Sequence, residues 1–290
     1  MTTAAILVGP GDGETISDRA ERNVVVKLDH ELVDVTWTRY EPGERGPDPH
    51  VHEQHADAWY VLEGELTFGV GLGGEELRRV PAGGFVLVPA GVVHTFRNDG
   101  DATARFLNIH APSMGFAESL RHAVEGTSFV WDSFDPPADG GRSAADVVVR
   151  APGEGESLLG GAVVFKAEVG DGEGTFALSE IMLPPGYPGP VLHRHTRTLD
   201  SFYVLDGTLT IRLGTGDEVE AGPGSFGAMP PGTVHSFANS TAGFVRALNL
   251  MAPAGFEQYL KELAAAASPG AVPDASTMAE IASRYDFEPV

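Results

Sequence analysis

The chain has 290 residues, room for two domains of ordinary size that each bury a core. Its 19 Lys and Arg against 41 Asp and Glu leave a net charge of −22, which repels phosphate backbones and anionic lipid, so neither nucleic acid nor a membrane surface is an expected partner. Cysteine is absent, which excludes disulfides, thiolate catalysis and sulfur-ligated metal.

The stretch Met1 to Pro10 has no positive charge ahead of its short apolar run, and no stretch approaches 18 apolar residues; a soluble, cytoplasmic protein is expected. Short runs rich in Val, Phe, Tyr and Thr then recur between Gly, Pro and Asp clusters, the pattern of antiparallel strands. In the first half they cover residues 23–27, 32–40, 59–62, 66–70, 85–88, 94–97 and 104–109. Phe116, Leu120 and Val124 follow at helical spacing. Between Asp132 and Ala145, prolines, glycines and aspartates interrupt any apolar period, placing a seam near Gly140. The expected domains are residues 1–140 and 141–290. In the second half strands are predicted over 163–168, 175–183, 202–205, 209–213 and 244–250, and a helix carries Phe256, Leu260 and Ala264. A last helix is predicted from the capping box Thr277 with Glu280 and the stripe Met278, Ile281 and Tyr285.

The two halves are one unit written twice. Pro10-Gly-Asp-Gly-Glu-Thr15 is echoed by Pro152-Gly-Glu-Gly-Glu-Ser157, Tyr60-Val-Leu-Glu-Gly64 by Tyr203-Val-Leu-Asp-Gly207, and Asn108-Ile-His-Ala-Pro112 by Asn249-Leu-Met-Ala-Pro253. Six of the ten histidines fall in matching sets about 142 residues apart, His50, His52, His94 and His193, His195, His235. Each pair is followed by an aspartate, Asp57 or Asp200. Each third histidine follows a proline turn, Pro89-Ala-Gly91 or Pro230-Pro-Gly232, and precedes Asn98 or Asn239.

On a strand, residues i and i+2 share a face, so His50 and His52 project together, as do His193 and His195. For His94 to meet its pair across about forty residues, the strands must curl around a common interior, which favours a closed roll over an open sandwich. Three converging histidines and an acid suit a divalent transition metal (Fe, Mn, Ni, Co, Cu or Zn), up to two per chain.

With both motifs assembled, the chain resembles the cupin superfamily, and within it the bicupins of the quercetin dioxygenase type. The resemblance implies an all-β fold of two tandem jelly-roll barrels with a few short packing helices. It makes His50, His52 and His94 metal ligands in the first barrel and His193, His195 and His235 in the second. Asp57 and Asp200 stand where the family commonly has glutamate; each is read as a metal ligand, a catalytic base, or a solvated acid at a strand end. The implied activity is a metal-dependent dioxygenase acting on a small phenolic or enolisable substrate. Alternatives are a metal-dependent isomerase, lyase or decarboxylase, or a non-catalytic binding bicupin.

Other residues carry weaker signals. His55, which has Thr198 as its counterpart, is read as a turn residue at the barrel mouth, and His110, replaced by Met251, as structural or pocket-lining. Trp59, Phe202, Phe96 and Phe237 share faces with the site residues and are read as core filling before substrate clamps. Lys27 and Lys166 are expected to be solvated. The glycines at 83, 91, 224 and 232 are read as turn formers. A small-molecule substrate is the expected partner, and monomer or homo-oligomer both stay open.

Overall fold

The structure, a computed structural model, describes residues 4–214, 216–267 and 273–290. Strands dominate, all pairing is antiparallel, and the chain divides into two compact units. The unit holding the first histidine set comprises residues 12–154 and 170–175. Its larger sheet has seven strands in the order Val148–Arg150, Phe85–Val88, Ala56–Glu63, Ala104–Ala111, Val33–Tyr40, Arg22–His30, Glu14–Asp18. A smaller sheet joins Glu76–Pro81, Glu65–Val70 and His94–Arg97.

The unit holding the second set comprises the described residues of 4–11, 155–169 and 176–290. Its seven-stranded sheet runs Ile6–Val8, Phe226–Met229, Leu199–Asp206, Val245–Ala252, Ala177–Leu183, Val163–Ala167, Glu156–Leu158. A five-stranded sheet joins Glu218–Ala221, Leu209–Leu213, His235–Ala238, His193–Arg194 and Glu288–Pro289.

This division corrects the seam placed near Gly140. Val148–Arg150 hydrogen-bonds to Phe85–Val88 in the first unit, while Ile6–Val8 pairs with Phe226–Met229 in the second. A single cut at residue 140 would leave the edges of Phe85–Val88 and Phe226–Met229 without their partner strands.

The cores follow the strand alternation. Trp59, Val61, Leu66, Phe68, Val86, Val88, Phe96 and Phe106 cluster in one unit, and Phe165, Phe202, Val204, Leu209, Ile211, Met229 and Val245 in the other. In His94–Arg97 the buried residues are His94 and Phe96, with Thr95 and Arg97 half-buried, as a period of two requires. The interior of each roll is largely apolar, with the histidine sets and a few further polar side chains, such as Thr38, Asn108 and Ser201, buried in it.

The helices occupy Phe116–Glu125, Glu257–Ala266 and Ala275–Ala282, close to their expected places. Val124 departs from its stripe and is 64 % exposed, because it lies in the last turn before the helix stops at Gly126. The third helix is capped by Asp274, not by a box starting at Thr277: the Asp274 carboxylate accepts the Thr277 N–H at 2.9 Å. Among the described residues no helix is long and apolar enough to cross a membrane.

Two further expectations change. Lys27 and Lys166 are buried, not solvated. The Lys27 Nζ donates to the Asp12 carbonyl at 2.5 Å, and Lys166 lies 3.2 Å from the Glu180 carboxylate, which satisfies each ammonium inside the fold.

The asparagines after the third histidines brace the rolls. Asn98 Nδ2 donates to the carbonyls of Tyr40 (3.0 Å) and Ala102 (2.9 Å), and its Oδ1 accepts from the Gly100 N–H. Asn239 Nδ2 donates to Leu183, Pro184 and Gly243 in the same way. Alanine at either position removes at least two of these donated hydrogen bonds, at about 1–2 kcal/mol each. Asn98→Ala and Asn239→Ala should each lower the free energy of urea unfolding by about 2–4 kcal/mol; a change near zero would contradict the bracing role.

Candidate metal centres

Each centre is assembled by strand register. His50 and His94 face each other across an antiparallel bridge, with N–H to O distances of 3.1 and 2.9 Å in the two directions. His193 stands opposite His235 in the same way. Asp57 lies on the neighbouring strand Ala56–Glu63 opposite His110, and Asp200 on Leu199–Asp206 opposite Met251. Gly91 and Gly232 take positive φ (84° and 91°) in the turns that deliver the third histidines, and donate their N–H to the carbonyls of His52 (2.6 Å) and His195 (2.7 Å). The turn-former reading of the four motif glycines holds, since Gly83 and Gly224 also have positive φ.

Every histidine of the two sets gives its Nδ1 to a backbone carbonyl. In the first set the acceptors are Asp48 (3.0 Å), Asp132 (2.5 Å) and Val92 (3.0 Å) for His50, His52 and His94. In the second they are Val191 (2.9 Å) for His193, Asp286 for His195 and Thr233 (2.9 Å) for His235. With a proton fixed on Nδ1, the Nε2 atoms of His50, His52, His94, His193 and His195 are left as ligand atoms turned inward, while that of His235 faces the Asp200 carboxylate. One ligand atom from each of His50, His52, Asp57 and His94 lies within 4.8 Å of all the others, as do those of His193, His195, Asp200 and His235. The Nε2 atoms of His52, His94 and His195 are buried without a hydrogen-bond partner. Such orphaned acceptors cost free energy in an apolar interior and are what a metal ion satisfies.

Both aspartates are buried, which removes the solvated alternative. Asp57 Oδ1 accepts from Asn108 Nδ2 at 2.5 Å, and its Oδ2 lies 3.4 Å from His94 Nε2 and 3.7 Å from His52 Nε2. Asp200 Oδ1 accepts from Asn249 at 2.5 Å, and its Oδ2 meets His235 Nε2 at 3.2 Å. Burial works to raise both carboxyls, yet the histidines around each outweigh it and hold Asp57 well below, and Asp200 below, the usual range. Both are carboxylates in the fold.

The sequence reading missed Asp132 and Asp286. The Asp132 carboxylate accepts the N–H groups of Glu53 (3.0 Å) and Gln54 (2.8 Å), while its carbonyl holds His52. Asp286 accepts from Thr196 N–H and Oγ (2.7 Å each), Arg197 N–H (2.9 Å) and Thr198 N–H (2.9 Å), and its carbonyl holds His195. One late residue thus clamps both the second histidine and the turn leading to the acid. The available signal was the short echo of Trp131-Asp132 in Tyr285-Asp286.

His55 is buried, a correction to its placement at the mouth. Its Nδ1 lies 2.7 Å from Asp132 Oδ2 and its Nε2 3.0 Å from His110 Nδ1; His110 Nε2 in turn lies 3.1 Å from Asn108 Oδ1 and 3.4 Å from Asp57. The result is a buried chain from Asp57 through two imidazoles to Asp132. Its counterpart positions in the second unit are Thr198 and Met251, which carry no imidazole.

A cavity of about 360 Å3 opens onto the first centre. His50, Asp57, Asn108 and His110 form its polar end, and Tyr40, Phe96, Phe106, Phe116 and Trp131 line it with rings. Phe96 therefore lines the pocket, whereas Trp59, fully buried, is core.

Against this geometry stand the comparisons. The sequence model of the cupin domain matches residues 36–110 and 179–251, so the chain belongs to the cupin family and carries the domain twice. It is 25% identical over 247 residues to quercetin 2,3-dioxygenase of Bacillus subtilis, spanning 74% of this chain and 72% of that one. Among solved structures it is similar to a putative glyoxylate-induced protein of Pseudomonas aeruginosa (TM-score 0.60, 18% identity, 86% and 88% coverage). It is also similar to an oxalate decarboxylase variant of Bacillus subtilis (TM-score 0.59, 15% identity, 88% and 78% coverage). The bicupin fold expected from the sequence is the fold observed.

Two predictions follow from the centres. Asp132→Ala should weaken metal binding at the first centre by about 10–100-fold and leave the second unchanged, and Asp286→Ala should do the converse, read by competition against a chromogenic chelator; equal loss at both centres would contradict the assignment.

The second concerns acid. Burial, reinforced by neighbouring histidines, pushes His50 down to about 3, and His55 and His193 to about 4; burial also lowers His110 and His195. The unfolded chain, protonating these near 6.5, binds more protons than the fold between about pH 6.5 and 4, so their contribution to stability falls as pH falls through that window. Two groups act in the opposite sense: Asp34, raised by burial to about 7, and His235, which burial lowers but Asp200 raises on balance. With His30, which burial also lowers, six histidines stand against two opposing groups and dominate. The urea midpoint of the metal-free protein should therefore rise from pH 4.5 to 6.5, and a flat or falling profile would contradict neutral histidines in the centres.

Proposed function

We propose that the protein is a metal-dependent oxygenase of a small phenolic or enolisable compound, with its reaction centre in the first unit. The observation that carries this reading is the convergence of three unprotonated Nε2 atoms and one carboxylate at the end of a ring-lined cavity. The similarity to a quercetin 2,3-dioxygenase supports it.

His50, His52, His94 and Asp57 would hold one divalent metal, and His193, His195, His235 and Asp200 a second. The nitrogen and oxygen donor set fits Fe, Mn, Ni, Co, Cu or Zn and matches the orphaned acceptors in each centre. When bound, the metal supplies Lewis acidity toward a substrate oxygen and, if redox-active, a route to dioxygen.

The chain's own residues do the rest. Phe96, Phe106, Phe116 and Trp131 offer a flat substrate ring apolar surface and keep water from its faces. A carboxylate held as low as Asp57 is a poor proton acceptor at neutral pH, so it is read as a ligand before a base. His110 lines the cavity beside Asp57, with His55 and Asp132 behind it; burial holds it well below its usual value, so it is read as a neutral positioning group before a base.

Elemental analysis of protein purified without added metal or chelator tests the reading. We expect close to two equivalents per chain of Fe, Mn, Ni, Co or Cu, both lost in His50→Ala/His193→Ala, and oxygen uptake with small phenols or β-diketones. Zinc would redirect the site to isomerase, lyase or decarboxylase chemistry, and a chain that cannot be loaded with any metal would overturn the proposal.

A further inference from the structure

The two centres share one frame and differ in what fills the space above it. In the first unit Ser119, Ala123 and Ser133 contribute to the wall of the cavity of about 360 Å3. The matching positions in the second unit, counted from Gly115-Phe116 against Gly255-Phe256 and from Asp132 against Asp286, hold Tyr259, Leu263 and Phe287. Three small side chains are replaced by two rings and an isobutyl group.

Those rings pack onto the second centre. Phe287 stacks on His193, ring centroids 4.4 Å apart and planes 22° from parallel, and on Tyr259 at 5.4 Å and 19°. Phe256 lies 6.3 Å away and completes the cluster. A space of about 10 Å3 bordered by Asn249, Met251 and Leu260 is at the threshold for a single water and is lined by none of the second centre's four ligands, whereas His50 and Asp57 line the cavity of the first, which is in the range of small-molecule sites.

The Phe287 ring is firmly held. Asp286 before it is fixed by the N–H groups of Thr196, Arg197 and Thr198; Glu288 after it pairs with Arg194 at 2.8 Å, and the Val290 N–H reaches the Leu192 carbonyl at 2.9 Å. The same segment therefore aligns His195 and covers His193.

We propose that the first centre alone admits an organic substrate, and that Phe287 closes the second, which keeps its metal out of the reach of a phenolic ligand. The inference rests on the reading of both sets as metal sites, and the test separates the two. Full-length protein is loaded with Co(II), its metal content measured, and titrated with 4-nitrocatechol, whose visible absorption shifts when its oxygens coordinate a metal.

The wild type should hold two cobalt ions and bind one 4-nitrocatechol per chain. His50→Ala/His52→Ala should keep one cobalt and bind none, and adding Phe287→Ser should restore binding of one. Ser133→Phe should keep both cobalt ions and bind 4-nitrocatechol about tenfold more weakly or worse. Two 4-nitrocatechol per chain in the wild type, binding by His50→Ala/His52→Ala, or unchanged affinity in Ser133→Phe would overturn the inference and leave the metal sites standing. A wild type that takes up no cobalt would overturn the metal sites and this inference together.

Discussion

The structure depends on a set of hydrogen bonds from histidine Nδ1 to backbone carbonyls. An imidazole has one proton to place, and placing it on Nδ1 makes Nε2 an acceptor. Six such bonds, three in each unit, turn six Nε2 atoms inward into two buried pockets. The strands, the glycine turns and the late aspartates all serve to keep those carbonyls where they are. Neutral acceptors cannot satisfy one another, so the Nε2 atoms of His52, His94 and His195 stay unpaired until a cation enters, and burial keeps protons from His50 and His193.

Duplication fixed this frame twice but left the surroundings free to diverge. The first unit keeps small residues and a cavity over its centre, together with a buried imidazole chain ending at Asp132. In the second unit the same positions carry Tyr259, Leu263, Phe287 and Met251, and aromatic packing takes the place of open space. The chemistry of the ligands is therefore common to both, while access to them is not. The access role proposed for Phe287, so distant in sequence, rests on its neighbours: Asp286 before it holds His195, and Glu288–Pro289 after it pairs with His193–Arg194.

Much of the frame was legible from the chain alone. His50-Val-His52 and His193-Arg-His195 announce their shared face through the strand period, and the doubled pattern ties His94 and His235 to them. What could not be read were groupings across 77 to 94 residues with no period to announce them. Asp132 meets His55 across 77 positions and Arg194 meets Glu288 across 94. Lys27 and Lys166 looked solvated because an ammonium in a strand gives no sign of the carbonyl or carboxylate that will receive it. The seam misled for a related reason: turn residues mark where a strand ends, whereas pairing decides which sheet the next strand joins.

The central claim is that three imidazole Nε2 atoms and one carboxylate oxygen converge on a single ion in each unit. X-ray absorption at the K-edge of the metal bound to the wild-type protein tests it most directly. The account predicts a first shell of nitrogen and oxygen only, at about 2.0–2.2 Å, with outer-shell scattering that fits three imidazoles per ion. A shell of oxygens without imidazole scattering would show that the ion sits elsewhere and would contradict the account.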